Sequence, residues 1–193
     1  FAFLMLTYPL LAIFFVFLCY STAHGAEPTF AEASAIPSSH SKSRLIEMGK
    51  QILHTLAVDD LTAFFGFTPA IEIVQSNTVN AFAMAPGTLL LSTGLCQNFT
   101  SESEFAFVIA HEIGHLILHS EKYEDRHVES REFEADKFAL QLLQKSGYNT
   151  QAGILLLTRL RNSPEAYDNG LLEARLALMQ SEPMLELGQS RMS

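Results

Sequence analysis

Residues 104–119 read EFAFVIAHEIGHLILH, and this run constrains the fold more than any other part of the chain. Two histidines one helical turn apart flank a glutamate in an otherwise apolar run, so it is either a metal site with its catalytic base or a buried helix that happens to contain polar residues. Ser101 and Glu104 match the S-x-x-E capping box, which starts the helix there and carries it to about His119. Residues four apart in a helix are separated by ~6 Å along the axis and ~40° around it. His111 and His115 therefore aim two imidazoles at one point, and Glu112, ~100° round from His111, reaches a water on a metal there without being a ligand. Those are the mechanics of H-E-x-x-H, two zinc ligands with a general base. The competing reading is a pair of core histidines with satisfied hydrogen bonds, and the N-cap and helix-forming neighbours favour the metal.

A catalytic zinc takes three protein ligands and leaves a fourth position open. His119 continues the spacing but lies ~12 Å along the axis from His111, too far for two ~2 Å bonds to one ion. The longer HExxHxxGxxH layout fails, because Leu118 stands where Gly is needed and Glu121 where the last His belongs. His127 would join only by way of the intervening loop. The stretch REFEAD is better placed. Its Glu132 and Asp136 share a helix face, whereas Glu134 points ~200° away from Glu132. One of the two carboxylates can bind the metal while the other accepts the spare N–H of a ligating histidine, fixing its tautomer. The plainer alternative is a solvated charged face.

Around this pair the pattern predicts an α+β architecture, a small antiparallel-edged sheet with packed helices. SRLIEMGKQILHTLAVDD places Leu45, Gly49, Ile52, Leu53 and Leu56 on one helical face and His54 off it. AIEIVQ (70–75), VNAFAM (79–84) and TLLLST (88–93) read as strands, the last two forming a hairpin whose Pro86 puts the first of them near an edge. The helix from Arg131 ends at Gly147, Thr150 caps QAGILLLTRLR, and GLLEARLALMQS forms the last helix.

From Phe1 to Ala26 there is no Asp, Glu, Lys or Arg, so the net charge of −9 belongs to the remainder of the chain. An acidic domain without a basic block argues against nucleic acid, and leaves membrane contact to the N-terminal segment. Residues 1–23 are expected to be a signal peptide or an N-terminal membrane anchor, with small residues at Ser21-Thr22-Ala23 for cleavage. Residues 24–42 read as a flexible linker, 43–187 as the folded domain and 188–193 as a tail. The localisation expected is periplasmic or secreted, or membrane-anchored facing the extracytoplasmic side. Cys96 is then the lone domain thiol, outside every motif and expected to pack as a small hydrophobe.

HEIGH followed by EFEAD, and preceded by NAFAM and TLLLSTGL, resembles the HtpX-like and CaaX prenyl-protease-like zinc metallopeptidases, a gluzincin group, over roughly residues 43–180. The resemblance implies a zincin-like minimal metallopeptidase domain with one Zn2+ per chain. By that resemblance His111, His115 and Glu132 bind zinc, Glu112 is the base, and Asp136 supports a ligand histidine. It also implies that Asn80, Ala81, Phe82, Ala83 and Met84 line the cleft as the edge strand on which an extended peptide docks. An unpaired strand edge can bond a substrate backbone whatever its side chains. Members of the group commonly carry a His-Pro pair six and five residues before an arginine in the last helix, and that His and Arg help stabilise the oxyanion. Here Arg175 takes the arginine's place, while Asn169 and Gly170 occupy the pair's positions, so Asn169 offers a hydrogen bond without charge. The function implied is a zinc-dependent endopeptidase cutting extracytoplasmic or membrane-associated polypeptides, misfolded envelope proteins among them. The alternative is a catalytically weak, metal-binding relative that clasps polypeptides as a chaperone-like envelope factor. A structural zinc domain ranks last, because closed sites use four ligands rich in Cys.

Overall fold

The computed structural model describes residues 41–56, 66, 69–119, 128–162 and 169–181. The expected leader, nearly all of the linker, His127 and the tail lie outside the described residues. Among the described residues no helix is long and apolar enough to cross a membrane. In chain order the elements are α1 (Lys42–Thr55), β1 (Ala70–Val74), β2 (Ala81–Met84), β3 (Thr88–Ser92), α2 (Thr93–Gln97), α3 (Glu102–Leu118), α4 (Val128–Ser146), α5 (Gln151–Arg161) and α6 (Asn169–Met179). This is the α+β arrangement that the sequence pattern predicts.

The sheet has the order β1-β3-β2. β2 and β3 form the expected antiparallel hairpin, with Phe82 opposite Leu90 and Met84 opposite Thr88, and β2 is an edge. β1 runs parallel to β3, with Ile71 beside Leu89 and Ile73 beside Leu91. Side chains alternate across a strand. Ile71, Ile73, Leu89, Leu91 and Ala81 are accordingly buried beneath the helices, while Glu72 and Val74 face outward. α1 lies directly on β1, where a side chain on Gly49 would collide with Ile71. His54 is exposed at the end of that helix, off the buried stripe.

α3 runs through the middle of the molecule. Every residue from Glu104 to Gly114 is buried, with Phe105, Phe107, Ile109 and Ile113 fully enclosed. It packs against β2, α1, α4 and α5. Ser101 caps its start by accepting from the Glu104 N–H at 3.3 Å. The carboxylate of Glu104 departs from the expected capping box. It accepts from Thr100 N and Oγ1 and from both terminal nitrogens of Arg159, fastening α3 to α5. Arg159 offers two charged donors, and a charged pair outweighs the single neutral N–H of the cap.

The end of α4 is as expected. Gly147 has a φ of +78°, and the N–H of Tyr148 donates to Leu143 O while that of Gly147 donates to Gln144 O, a Schellman closure. The start of α5 is not. Thr150 is itself helical and makes no capping hydrogen bond, and Asn149 accepts from Gln151 N at 2.9 Å instead. The short helix α2 has no apolar period to announce it. Ser92 creates it, its buried hydroxyl accepting from Leu95 N and Asn80 N and donating to Thr78 O. That one hydroxyl holds the entry to β2 in place.

Candidate metal centre

Three helices and one strand meet around the buried face of α3. His111 and His115 project from α3, Glu132 and Asp136 from the first half of α4, and Arg175 from α6. The approach of α3 to α4 depends on Gly114, the fourth residue of HEIGH. A Cβ there would lie 3.2 Å from Ala135 Cα and 3.2 Å from Phe138 Cδ1. Ala135 sits between Glu132 and Asp136, so the two helices touch backbone to backbone where the carboxylates must reach the imidazoles.

His111 Nε2 and His115 Nε2 are 3.0 Å apart. Glu132 places its oxygens 3.4 Å from His111 Nε2 and 3.3 Å from His115 Nε2. Ligand atoms bound at ~2.0–2.1 Å to one tetrahedral ion sit roughly 3.3 Å from one another. The two carboxylate distances match that edge and the imidazole pair, at 3.0 Å, is slightly closer; two imidazoles with one carboxylate are the donor set of a catalytic zinc. Among the described residues, this trio is the group of metal-capable side chains close enough to share an ion. Asp136 Oδ1 accepts from His111 Nδ1 at 2.9 Å, which leaves Nε2 of the neutral ring to offer its lone pair.

Arg175 closes the cluster from behind. Its Nε and Nη2 donate to the two oxygens of Asp136 at 2.8 and 2.6 Å, and Nη1 stands 3.1 Å from Glu132 Oε2. Burial alone would push Glu132 and Asp136 upward. The Arg175 charge and the histidine hydrogen bonds outweigh it, holding Glu132 well below the usual carboxylate range and lowering Asp136. For His111, burial is again outweighed, here by Asp136 and Glu132, and its pKa rises to about 9. Burial lowers His115. Glu112 is 2% exposed, and burial pushes it up to about 7, helped by Glu132 and opposed by His111, Arg175 and the backbone N–H of Ala83 in β2. Among the described residues its Oε2 has no hydrogen-bond partner. A carboxylate poised near neutrality beside a metal site is suited to taking and returning a proton.

The remaining sequence candidates fall into place unevenly. Glu134 is half-exposed on the other side of α4, 3.8 Å from His119 Nε2. His119 follows the last residue of α3 and is not one of the metal trio, although its ring lies 5.4 Å from that of His115. Ala81 is buried, Phe82 and Ala83 are half-buried, and Met84 is exposed at 46% on the edge strand that reaches Glu112 through Ala83. Asn80 lies just before β2, donating to Ser92 Oγ. Asn169 is the first residue of α6. Sequence reasoning passed over Gly114 and Ser92. The signal for Gly114 was there: a glycine in the middle of an apolar helix costs stability unless a neighbour needs the space.

Parts of this chain resemble known proteins. Residues 44–125 match the model of Peptidase family M48, less than half of the chain and ending before Glu132. Residues 95–159, which take in both HEIGH and the EFEAD carboxylates, match that of the IrrE N-terminal-like domain. The chain is also similar to Mitochondrial metalloendopeptidase OMA1 of Arabidopsis thaliana, with 38% identity over 52 residues. That match spans 27% of this chain and 11% of the relative's length. Together with the convergence of His111, His115 and Glu132, these partial likenesses make the chain similar to the zinc metallopeptidases of family M48.

Proposed function

We propose that this chain is a zinc-dependent metalloendopeptidase that cuts extracytoplasmic or membrane-associated polypeptides, misfolded envelope proteins among them. The observation that carries the reading is the meeting of His111, His115 and Glu132 beside a buried Glu112, next to a strand edge. In it His111, His115 and Glu132 hold the ion. When bound, zinc supplies Lewis acidity, polarising the scissile carbonyl and lowering the pKa of water. Glu112 takes a proton from the attacking water and hands it to the departing amine, the task its raised pKa suits. Asp136 keeps the His111 ring in the tautomer that presents Nε2. An extended substrate lies along the outer edge of β2, between Asn80 and Met84, where backbone groups bind it independently of sequence. The uncharged N-terminal segment, 1–26, supports delivery across or onto a membrane.

The decisive experiment compares the zinc-loaded full chain with Glu112→Gln on unfolded casein and a peptide library. Loss of cleavage by about 10²–10⁴-fold with zinc retained is expected. A wild-type chain that takes up no zinc would end the proposal. A second reading, a zinc-retaining binder of unfolded segments, is motivated by Asn169-Gly170 at the start of α6. It predicts zinc uptake with turnover equal to that of Glu112→Gln.

A further inference from the structure

We infer that Arg175 is a positioning residue for the metal site, locking Glu132 and Asp136 into one rigid acceptor pair so that α6 sets the affinity for the ion. This rests on the zinc reading above. Its guanidinium side chain is 3% exposed, and each of its nitrogens is turned to a carboxylate: Nε to Asp136 Oδ2 (2.8 Å), Nη2 to Asp136 Oδ1 (2.6 Å) and Nη1 to Glu132 Oε2 (3.1 Å).

The two-pronged contact fixes the plane of the Asp136 carboxylate, as a planar fork does and a single ammonium cannot. Asp136 Oδ1 is the same atom that accepts from His111 Nδ1, so the orientation of that ring passes from α6 through α4 to α3. The third nitrogen holds Glu132, whose other oxygen lies toward His115. Two carboxylates one helical turn apart on a buried face repel each other. The cation between them offsets that repulsion and leaves Glu132 free to face the imidazoles. Three of the five guanidinium N–H donors of Arg175 face this pair, and that geometry makes it the strap that preorganises the donors.

The test uses the full chain and Arg175→Lys, Arg175→Met and the double variant Asp136→Asn/Arg175→Met. Zinc affinity is measured by competition with a chromophoric chelator, coordination by the visible spectrum of the Co2+-substituted protein, and turnover at saturating zinc as separate kcat and KM. Far-UV circular dichroism reports folding. We expect zinc binding about 10-fold weaker for the lysine variant and about 100-fold weaker for the methionine variant, with an altered Co2+ spectrum in both. The double variant removes the Asp136–Arg175 ion pair as a unit, leaving no half of that pair buried alone, and is expected to fold by circular dichroism and to bind zinc weakly. If Arg175→Lys or the double variant keeps the wild-type zinc affinity and Co2+ spectrum, the inference is overturned. Loss of kcat alone, with both preserved, would show instead that Arg175 touches the reacting atoms. A wild-type chain without zinc would sink the reading of the site and not this inference alone.

Discussion

Replacing Gly114 by alanine should separate the stability of this fold from its ability to hold a metal. The new methyl would lie 3.2 Å from both Ala135 Cα and Phe138 Cδ1, and 3.4 Å from Ala135 O. Carbon atoms pack comfortably at ~3.5–4.0 Å, so α4 must retreat from α3 by roughly 0.3–0.8 Å. Two stability effects then oppose each other. Alanine gains about 1 kcal/mol over glycine within a helix, and overpacking costs about 1–3 kcal/mol. The net is a loss of about 0–2 kcal/mol, which a buried core of this size survives. The metal site has less tolerance, because ligand distances must hold to about ±0.2 Å. Glu132 sits one turn before the contact and moves with α4, so its oxygens leave their positions 3.3–3.4 Å from the imidazole nitrogens. We expect zinc affinity to fall at least about 10-fold, approaching the ~10²-fold that a 1 Å misplacement costs a reaction. Urea unfolding of the chelator-treated protein gives the first quantity, and zinc competition against a chromophoric chelator gives the second. Wild-type zinc affinity in a folded Gly114→Ala would refute the argument that this contact sets the distance between the helices.

Other outcomes rest on the same geometry. Asp136→Asn keeps the shape but weakens the acceptor for His111 Nδ1, and zinc affinity should drop about 10–100-fold in the same competition assay. His111 carries a proton below about 9 in the metal-free chain, so zinc binding at pH 7 should release about one proton from it, read by calorimetry in buffers of different ionisation heat. The raised pKa values of Glu112 and His111 also contribute stability below their unfolded values that is lost as pH climbs through about 7 and about 9. Between pH 5 and 7 the lowered His115 and His119 oppose this trend, so the melting temperature of chelator-treated protein should fall from pH 7 to 9, and a rise there would contradict the assignment. Glu104→Ala removes bonds to Thr100 and Arg159 and should cost about 2–3 kcal/mol in urea unfolding, without changing zinc affinity. Burial pushes the Cys96 thiol up to about 12, so iodoacetamide should label it only in denaturant, as peptide mass mapping would show.

Local rules made half of the centre legible. The 3.6-residue period alone puts His111 and His115 on one face of a helix, and it pairs Glu132 with Asp136 while turning Glu134 away. The Gly147 closure and the β2–β3 hairpin were readable for the same reason, since each is settled by neighbours along the chain. Where a partner comes from afar the sequence was less informative. Glu104 looked like half of a capping box, but Arg159, 55 residues on, draws its carboxylate to α5. Thr150 looked like a cap, and the neighbouring Asn149 does that work. Nothing in AIEIVQ announced that β1 would lie parallel to β3 on the side away from the hairpin.

By itself, then, the amino-acid order determined which side chains share a helix face, because that depends only on backbone geometry and hydrogen bonds within a turn or two. Packing between elements decided the rest. The close crossing at Gly114 and Ala135 brings Glu132 beside the two Nε2 atoms, Asp136 beside Nδ1 of His111, and Arg175 onto both carboxylates. From Asp136 the bonds reach back 25 positions to His111 and forward 39 to Arg175, and no periodicity extends that far. They exist because apolar faces must be buried together and the charges drawn in with them must find one another.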